Sequence, residues 1–235
     1  MSNARDPLAP PTPRPHPGFT PPAEASRALP ILLQGPSWVV VDKPSGLLSV
    51  PGRAEGQEDC VRLRVAEMFP DREAFTVHRL DWETSGCIIV ALSADAHRDL
   101  NLQFERRRVS KIYTAVLTGN VTPDTGVVRL PLSKDWPRRP KQKVDHDAGK
   151  PAETHYRVLS RDTGRTRVEF MPITGRSHQI RVHAAHPEGL NAPVLGDGLY
   201  GDIHAAPRLL LHATSISFRD PDTNTMVEAV SPPPF

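Results

Sequence analysis

The nine residues His78 to Gly86, HRLDWETSG, hold the most chemistry per unit length in the chain. They place a guanidinium (Arg79) and a carboxylate (Asp81) two positions apart, followed by Thr84, Ser85 and Gly86. The apolar stretch ending at Val77 precedes them, and the apolar run CIIVAL follows. A loop pinned between two core segments is held rigidly enough to build a site. A carboxylate kept ionised by nearby guanidinium groups can act as nucleophile or as base. The same Asp81 can equally cap a turn or pair with Arg79 for structure, and nine residues do not decide between these. His78, Asp81 and Ser85 also supply the residue types of a serine hydrolase. However, no GxSxG elbow is present, and triad members normally come from distant parts of a chain.

A second group is ITGRSHQIRVH (173–183), where Thr174, Gly175 and Ser177 resemble a helix start whose amides would favour an anion. Arg176 and Arg181 add fixed positive charge there, beside His178 and His183. With His186, these histidines lack the HExxH spacing and have no intervening carboxylate. The expectation is no metal site, with these imidazoles as supporting or surface groups. The Gly-rich turn LGDGLYGD (195–202) matches neither a phosphate loop nor a dinucleotide fingerprint. KIYTAV places Tyr113 on a strand directly after the basic run ERRRVSK (105–111). A second basic run, KDWPRRPKQK (134–143), carries five cations, one acid and an indole. Alone, either run reads as a solvated face; two of them around a candidate site favour a polyanion.

These residues need a scaffold. WVVVDKPSG reads as a buried strand from Trp38 to Val41 running into a turn, and the body of the protein is expected to begin there. Residues 59–69 and 94–108 have loosely helical apolar spacing, and 177–186 is a third, weaker helix. Strands are expected over 87–93, 111–119, 126–132, 153–161, 166–173, 209–218 and 225–231. Strands outnumber helices, and their connections are short. This argues for an α+β fold with a mixed, largely antiparallel sheet and flanking helices, spanning 31–235. Ten of the 26 prolines fall in the first 36 residues. Residues 1–30 are therefore expected to form a Pro-rich tail outside any sheet ladder or helix interior.

Composition narrows the function classes. With 38% apolar residues in 235, the chain can build a core, and no run approaches the roughly 20 apolar residues of a membrane span. The opening residues lack the apolar segment of a secretory signal. Two cysteines, Cys60 and Cys87, with no CxxC pair, suit a reducing cytoplasmic compartment and read as core residues. The formal charge of +2 does not by itself announce a nucleic-acid binder. Monomer is the expected state.

Taken together and in order, HRLDWETSG, KIYTAVLTG, LPLSKDWPRRPKQKV, GKPAETHYRV, PITGRSHQIRVH, LGDGLYG and RLLLHA resemble the RluA family of pseudouridine synthases from about Trp38 onward. The resemblance implies an isomerase converting uridine to pseudouridine in RNA, on the pseudouridine synthase catalytic fold, with no cofactor. KPSGLLSVPGR and DWPRRPKQKV resemble the branch acting on stem-loops of 23S rRNA and the tRNA anticodon arm. It implies Asp81 as the catalytic carboxylate, Tyr113 as the residue packing on the base and implicated in removing its C5 proton, and Arg181 as the guanidinium paired with Asp81. Arg79 is implied to enter the base stack, and Leu211, with Leu210 as alternate, to line the base pocket. His78, Thr84 and Arg176 are the further substrate-binding candidates. Asn191-Ala192 departs from the family's common Gly-His and leaves the exact target open. A non-catalytic RNA-binding module is disfavoured, because the Asp, Tyr and Arg positions are all filled.

Overall fold

The computed structural model describes residues 28–52 and 55–235, so most of the expected Pro-rich tail lies outside the described residues. The chain opens with a short hairpin of β1 (Ile31–Gln34) and β2 (Trp38–Lys43). Next come α1 (Val61–Met68), β3 (Phe75–Thr76), β4 (Ser85–Ala91) and α2 (Ala94–Glu105). β5 (Ser110–Thr118) and β6 (Thr125–Arg129) lead to a small separate hairpin, β7 (Leu132–Lys134) with β8 (Gln142–Val144). The chain continues through β9 (Glu153–Asp162), β10 (Arg165–Pro172), α3 (Gln179–Ala185), β11 (Leu211–Arg219) and β12 (Met226–Val230).

The main sheet runs β1-β2-β4-β11-β5-β10-β9-β6, with β12 on β11 and β3 on β4. Among the described residues its one parallel strand pairing joins β4 to β11 at the centre; the others are antiparallel. This is the α+β, mixed and mostly antiparallel architecture expected. β2 and β4 show how the core is built. Val39, Val41, Ile88 and Val90 face one side with Val61 and Val65 of α1, while Val40, Ile89 and Ala91 face the other with Leu100 of α2 and Phe218. Strand alternation sends successive side chains to opposite faces, so a strand covered on both is apolar throughout. All seven residues of β4 are accordingly buried.

The β4–β11 pairing is tight at one point. Gly86 has φ +108°, and a Cβ there would lie 2.2 Å from the Ala213 carbonyl oxygen. Only glycine meets both demands. This residue directly follows the 78–85 loop, so close backbone packing fixes the exit of the candidate site.

Several expectations need correction. The sheet begins with β1, ahead of Trp38. The strand expected over 126–132 is two elements: Pro131, which has no N–H for a ladder, separates β6 from the β7–β8 hairpin. The 94–108 helix ends at Glu105. The third helix starts only at Gln179, with His178 in left-handed backbone at its cap and no capping side chain, so 174–177 is not its first turn. Instead, the Gln179 amide binds that loop: its Oε1 accepts from the Arg176 N–H and Thr174 hydroxyl, and its Nε2 donates to the Glu153 carbonyl. The expected anion-binding helix end is replaced by a loop stitched to β9.

Candidate active site

The site forms where the two halves of the sheet meet. Asp81 comes from the loop before β4, Tyr113 from β5, Arg181 from α3 and Leu211 from the start of β11. Tyr113 packs against the apolar clusters of both halves. A cavity of about 100 Å³ is lined by Arg79, Asp81, Thr84, Lys111, Tyr113, Arg176, Arg181 and Leu211. It adjoins a groove of about 880 Å³ whose walls include His78, Phe104, Arg107 and Pro140. The backbone therefore brings all eight residues singled out from sequence to this cavity or its groove. Leu210 lines neither.

Arg181 is the electrostatic centre. Its side chain is 3% exposed. It makes a two-pronged contact to Asp197, Nε at 2.8 Å and Nη2 at 2.6 Å, while Nη1 stands 3.6 Å from Asp81 Oδ2 and Nη2 3.7 Å from Glu83 Oε2. Burial disfavours the guanidinium charge, but the hydrogen bonds and charge of Asp197, followed by Asp81 and Glu83, outweigh it and hold the cation firmly protonated. Arg181 is thus anchored by Asp197 and shared with Asp81, rather than being Asp81's own partner. Asp197 itself is fully buried and stays ionised: burial pushes its carboxyl up, but Arg181 and the N–H groups of Leu199 and Tyr200 pull it below the usual carboxylate range. The preceding Gly196 (φ +75°) approaches the Arg208 carbonyl so closely that a Cβ would sit 2.0 Å from its oxygen.

Asp81 keeps its carboxylate 27% exposed, facing the cavity. Burial raises the Tyr113 phenol well above its ordinary value, and the Asp81 charge adds to this, so the phenol is neutral throughout the physiological range. Thr84 is 2% exposed, and its Oγ1 is buried without a hydrogen-bond partner while the residue lines the cavity. An unpaired buried hydroxyl is expensive, and at a cavity wall it marks a place for a ligand's polar group.

Arg79 and Arg176 are exposed at the opening, Arg176 tethered through Nε to the Pro151 carbonyl. His78 serves the scaffold: Nε2 accepts the Ile89 N–H, the ring stacks on Phe104 at 4.8 Å, and burial, aided by the Lys111 charge, drives its pKa down to about 3. His78, Asp81 and Ser85 do not form a catalytic unit. Ser85 Oγ instead pairs with His212 Nδ1 and accepts from Arg208. Of the histidines near α3, His183 is buried between Thr154 Oγ1 and the Leu130 carbonyl rather than at the surface. His178 Nδ1 and the Tyr200 hydroxyl share a hydrogen bond of 2.7 Å. Among the described residues no group of three or more His, Cys, Asp or Glu side chains could hold a metal ion. Cys60 and Cys87 are buried.

Sequence reasoning missed four contributors. Asp197 and Tyr200 lie in the LGDGLYGD turn, read only as a turn; an Asp between glycines, in a chain with a buried arginine to satisfy, was the available signal. Lys111 lines both cavity and groove, and burial lowers its pKa to about 8. Lys43, fully buried, donates to the carbonyls of Pro44, Leu47 and Trp82, tying the end of β2 to the 78–85 loop.

The chain is similar to known proteins. The profile described as RNA pseudouridylate synthase matches residues 37–186. The chain is 49% identical over 199 residues to the dual-specificity RNA pseudouridine synthase RluA of Yersinia pestis, covering 83% of this chain and 94% of that protein. It is 46% identical over 221 residues to the protein of the same name from Escherichia coli K12, covering 92% and 98%. Among solved structures, human RNA pseudouridylate synthase domain containing 1 superposes with a TM-score of 0.73 at 27% identity, covering 89% of this chain and 85% of that one.

Proposed function

Because this chain belongs to the RNA pseudouridylate synthase family and is an isomerase acting on RNA, we propose that Asp81, Tyr113 and Arg181 convert an extruded uridine to pseudouridine in the small cavity. The observation carrying this reading is the Asp81 carboxylate, 3.6 Å from a buried guanidinium, lining the same cavity as Tyr113 and Thr84.

The reaction breaks the N1–C1′ glycosidic bond, turns the uracil and joins C5 to C1′; the C5 proton leaves and N1 gains one. Nothing is oxidised and no water is consumed, so these steps call for a carboxylate, a surface to hold the loose base and a proton path. Asp81 serves as nucleophile at the sugar or ring, or as base toward a sugar proton. Arg181, held by Asp197, sets a fixed positive charge 3.6 Å from that carboxylate. Tyr113 packs on the base. Its phenol is protonated, so it can take the C5 proton only as its own moves on, and the Asp81 carboxylate is the base at hand. Leu211 forms the apolar wall, and Thr84 bonds a polar edge of the nucleotide. Drawing a base out of its stack costs a few kcal/mol; stacking, the pocket and Arg79 at the opening offset it.

The substrates we infer are stem-loops of 23S rRNA and the tRNA anticodon arm. The relatives named dual-specificity, 44–49% identical over most of their length, support this. We infer that the protein acts in the cytoplasm as a monomer, with its catalytic domain over residues 31–235. The test is incubation of the purified chain with transcripts of both RNAs, followed by site mapping of pseudouridine. Conversion of a loop uridine in each is expected; conversion of neither RNA overturns the assignment.

A further inference from the structure

The β7–β8 hairpin stands at the groove mouth, outside the main sheet. Its tip is a single 3-10 turn, Trp136–Arg138, and the Trp136 indole is 62% exposed. Among the described residues no large apolar side chain is more exposed. Leaving so large a ring in water forfeits burial that would favour folding, so its position calls for an explanation.

The ring is held in place. Asp135 N–H donates to the Lys141 carbonyl, Lys141 N–H to that of Arg138, and Arg138 Nε to the Asp135 carboxylate at 2.7 Å. Lys134 Nζ lies 5.3 Å from the indole centroid and the Arg139 guanidinium 5.0 Å. The hairpin base is fastened to the catalytic elements: Leu132 packs with Val182 of α3, and the Gln142 N–H donates to Tyr200 Oη at 2.7 Å. The Tyr200 ring in turn lies 5.4 Å from the Arg181 guanidinium. Pro140, in the same tip, lines the groove that leads to Asp81.

An exposed indole with cations lying over its ring, at the rim of a groove, has the chemistry for one unpaired nucleotide: a base takes a ring face in place of a cation, and that cation turns to the nucleotide's phosphate. We propose that Trp136 is a stacking platform for a second, non-reacting base of the substrate loop, flanking the uridine that enters the cavity. The inference rests on the RNA-modifying reading of the site. Stacking on the ring sets which loop nucleotide reaches Asp81, and the Tyr200 strut keeps that distance constant.

The test uses the full chain and a stem-loop RNA that the wild type is first shown to convert. If the wild type converts no RNA, the reading of the site fails, and this inference with it. Trp136→Ala is expected to weaken RNA binding and raise KM about tenfold, the scale of one lost stack, with kcat within about twofold of wild type. Trp136→Phe restores most of the loss. The slope of affinity against salt is unchanged, since no phosphate contact is removed. Replacing loop nucleotides one at a time by abasic residues finds one position, other than the target, whose penalty in the wild type vanishes in Trp136→Ala. Wild-type RNA binding by Trp136→Ala, or penalties that persist unchanged in it at every position, overturns the proposal. A protein-docking role for the tip gives that same unchanged pattern.

Discussion

At the scale of residues, the site separates holding charge from using it. Asp197 takes two prongs of Arg181 and is fully buried, while Asp81 takes only the edge of the same guanidinium and faces the cavity. A carboxylate bonded as Asp197 is has little freedom to react; one at 3.6 Å keeps its lone pairs free. Thr84 exposes the same logic in a neutral group. Thr84→Val keeps the shape and removes a hydroxyl that bonds nothing in the free protein. Thermal stability is expected to be unchanged or slightly higher, while kcat/KM falls about tenfold, the scale of one hydrogen bond to substrate. A melting curve beside single-turnover kinetics checks this; a parallel loss of stability and rate means Thr84 is structural. Lys111 gives a pH dependence. Burial lowers its pKa to about 8, so it is an ammonium below that value and a neutral amine above it. RNA affinity is therefore expected to fall as pH rises from about 7 to about 9, by up to about tenfold. Lys111→Arg, charged throughout, flattens that limb in a binding titration.

Among the elements, the β4–β11 junction does most of the positioning. It sets the exit of the Asp81 loop against the strand that begins with Leu211. Gly86→Ala forces both a left-handed backbone and a Cβ 2.2 Å from the Ala213 oxygen. Destabilisation of about 3 kcal/mol or more is expected in denaturant titration; wild-type stability contradicts this role for the junction. The apolar strands were readable because their patterns are local: CIIVAL could only be a buried strand, and LLLHATSISF another. Elements whose reasons are distant were not readable. β1 has just four residues and exists because β2 offers it an edge. The β7–β8 hairpin is hidden in a run that looks like one strand until Pro131 is weighed. α3 begins where Gln179 binds β9, not where small polar residues suggest a cap. Within the site, Asp81, Tyr113 and Arg181 were legible through family resemblance. The Asp197 anchor was not, because sixteen positions separate it from Arg181 and only the fold brings them to 2.6 Å.

For the molecule as a whole, the formal charge of +2 hides an uneven distribution. Arg79, Lys111 and Arg176 line the cavity, Arg107 lies along the groove, and the tip of the hairpin adds Lys134, Arg138 and Arg139. Affinity for a loop RNA is expected to fall with salt, with a log–log slope on the order of −3, as for about four neutralised phosphates on a single strand. A flat dependence, measured by filter binding across a salt series, contradicts a basic track to the site. No helix among the described residues is long and apolar enough to cross a membrane.

The most direct test of the central claim changes one oxygen. Asp81→Asn preserves size and an oxygen that can face the Arg181 edge, 3.6 Å away in the wild type, but removes the negative charge facing the cavity. Purified variant and wild type are compared for RNA binding and for pseudouridine formed in a single turnover. Binding within a few-fold of wild type with no pseudouridine is the predicted result; measurable pseudouridine from the Asn variant contradicts the assignment of the chemistry to this carboxylate.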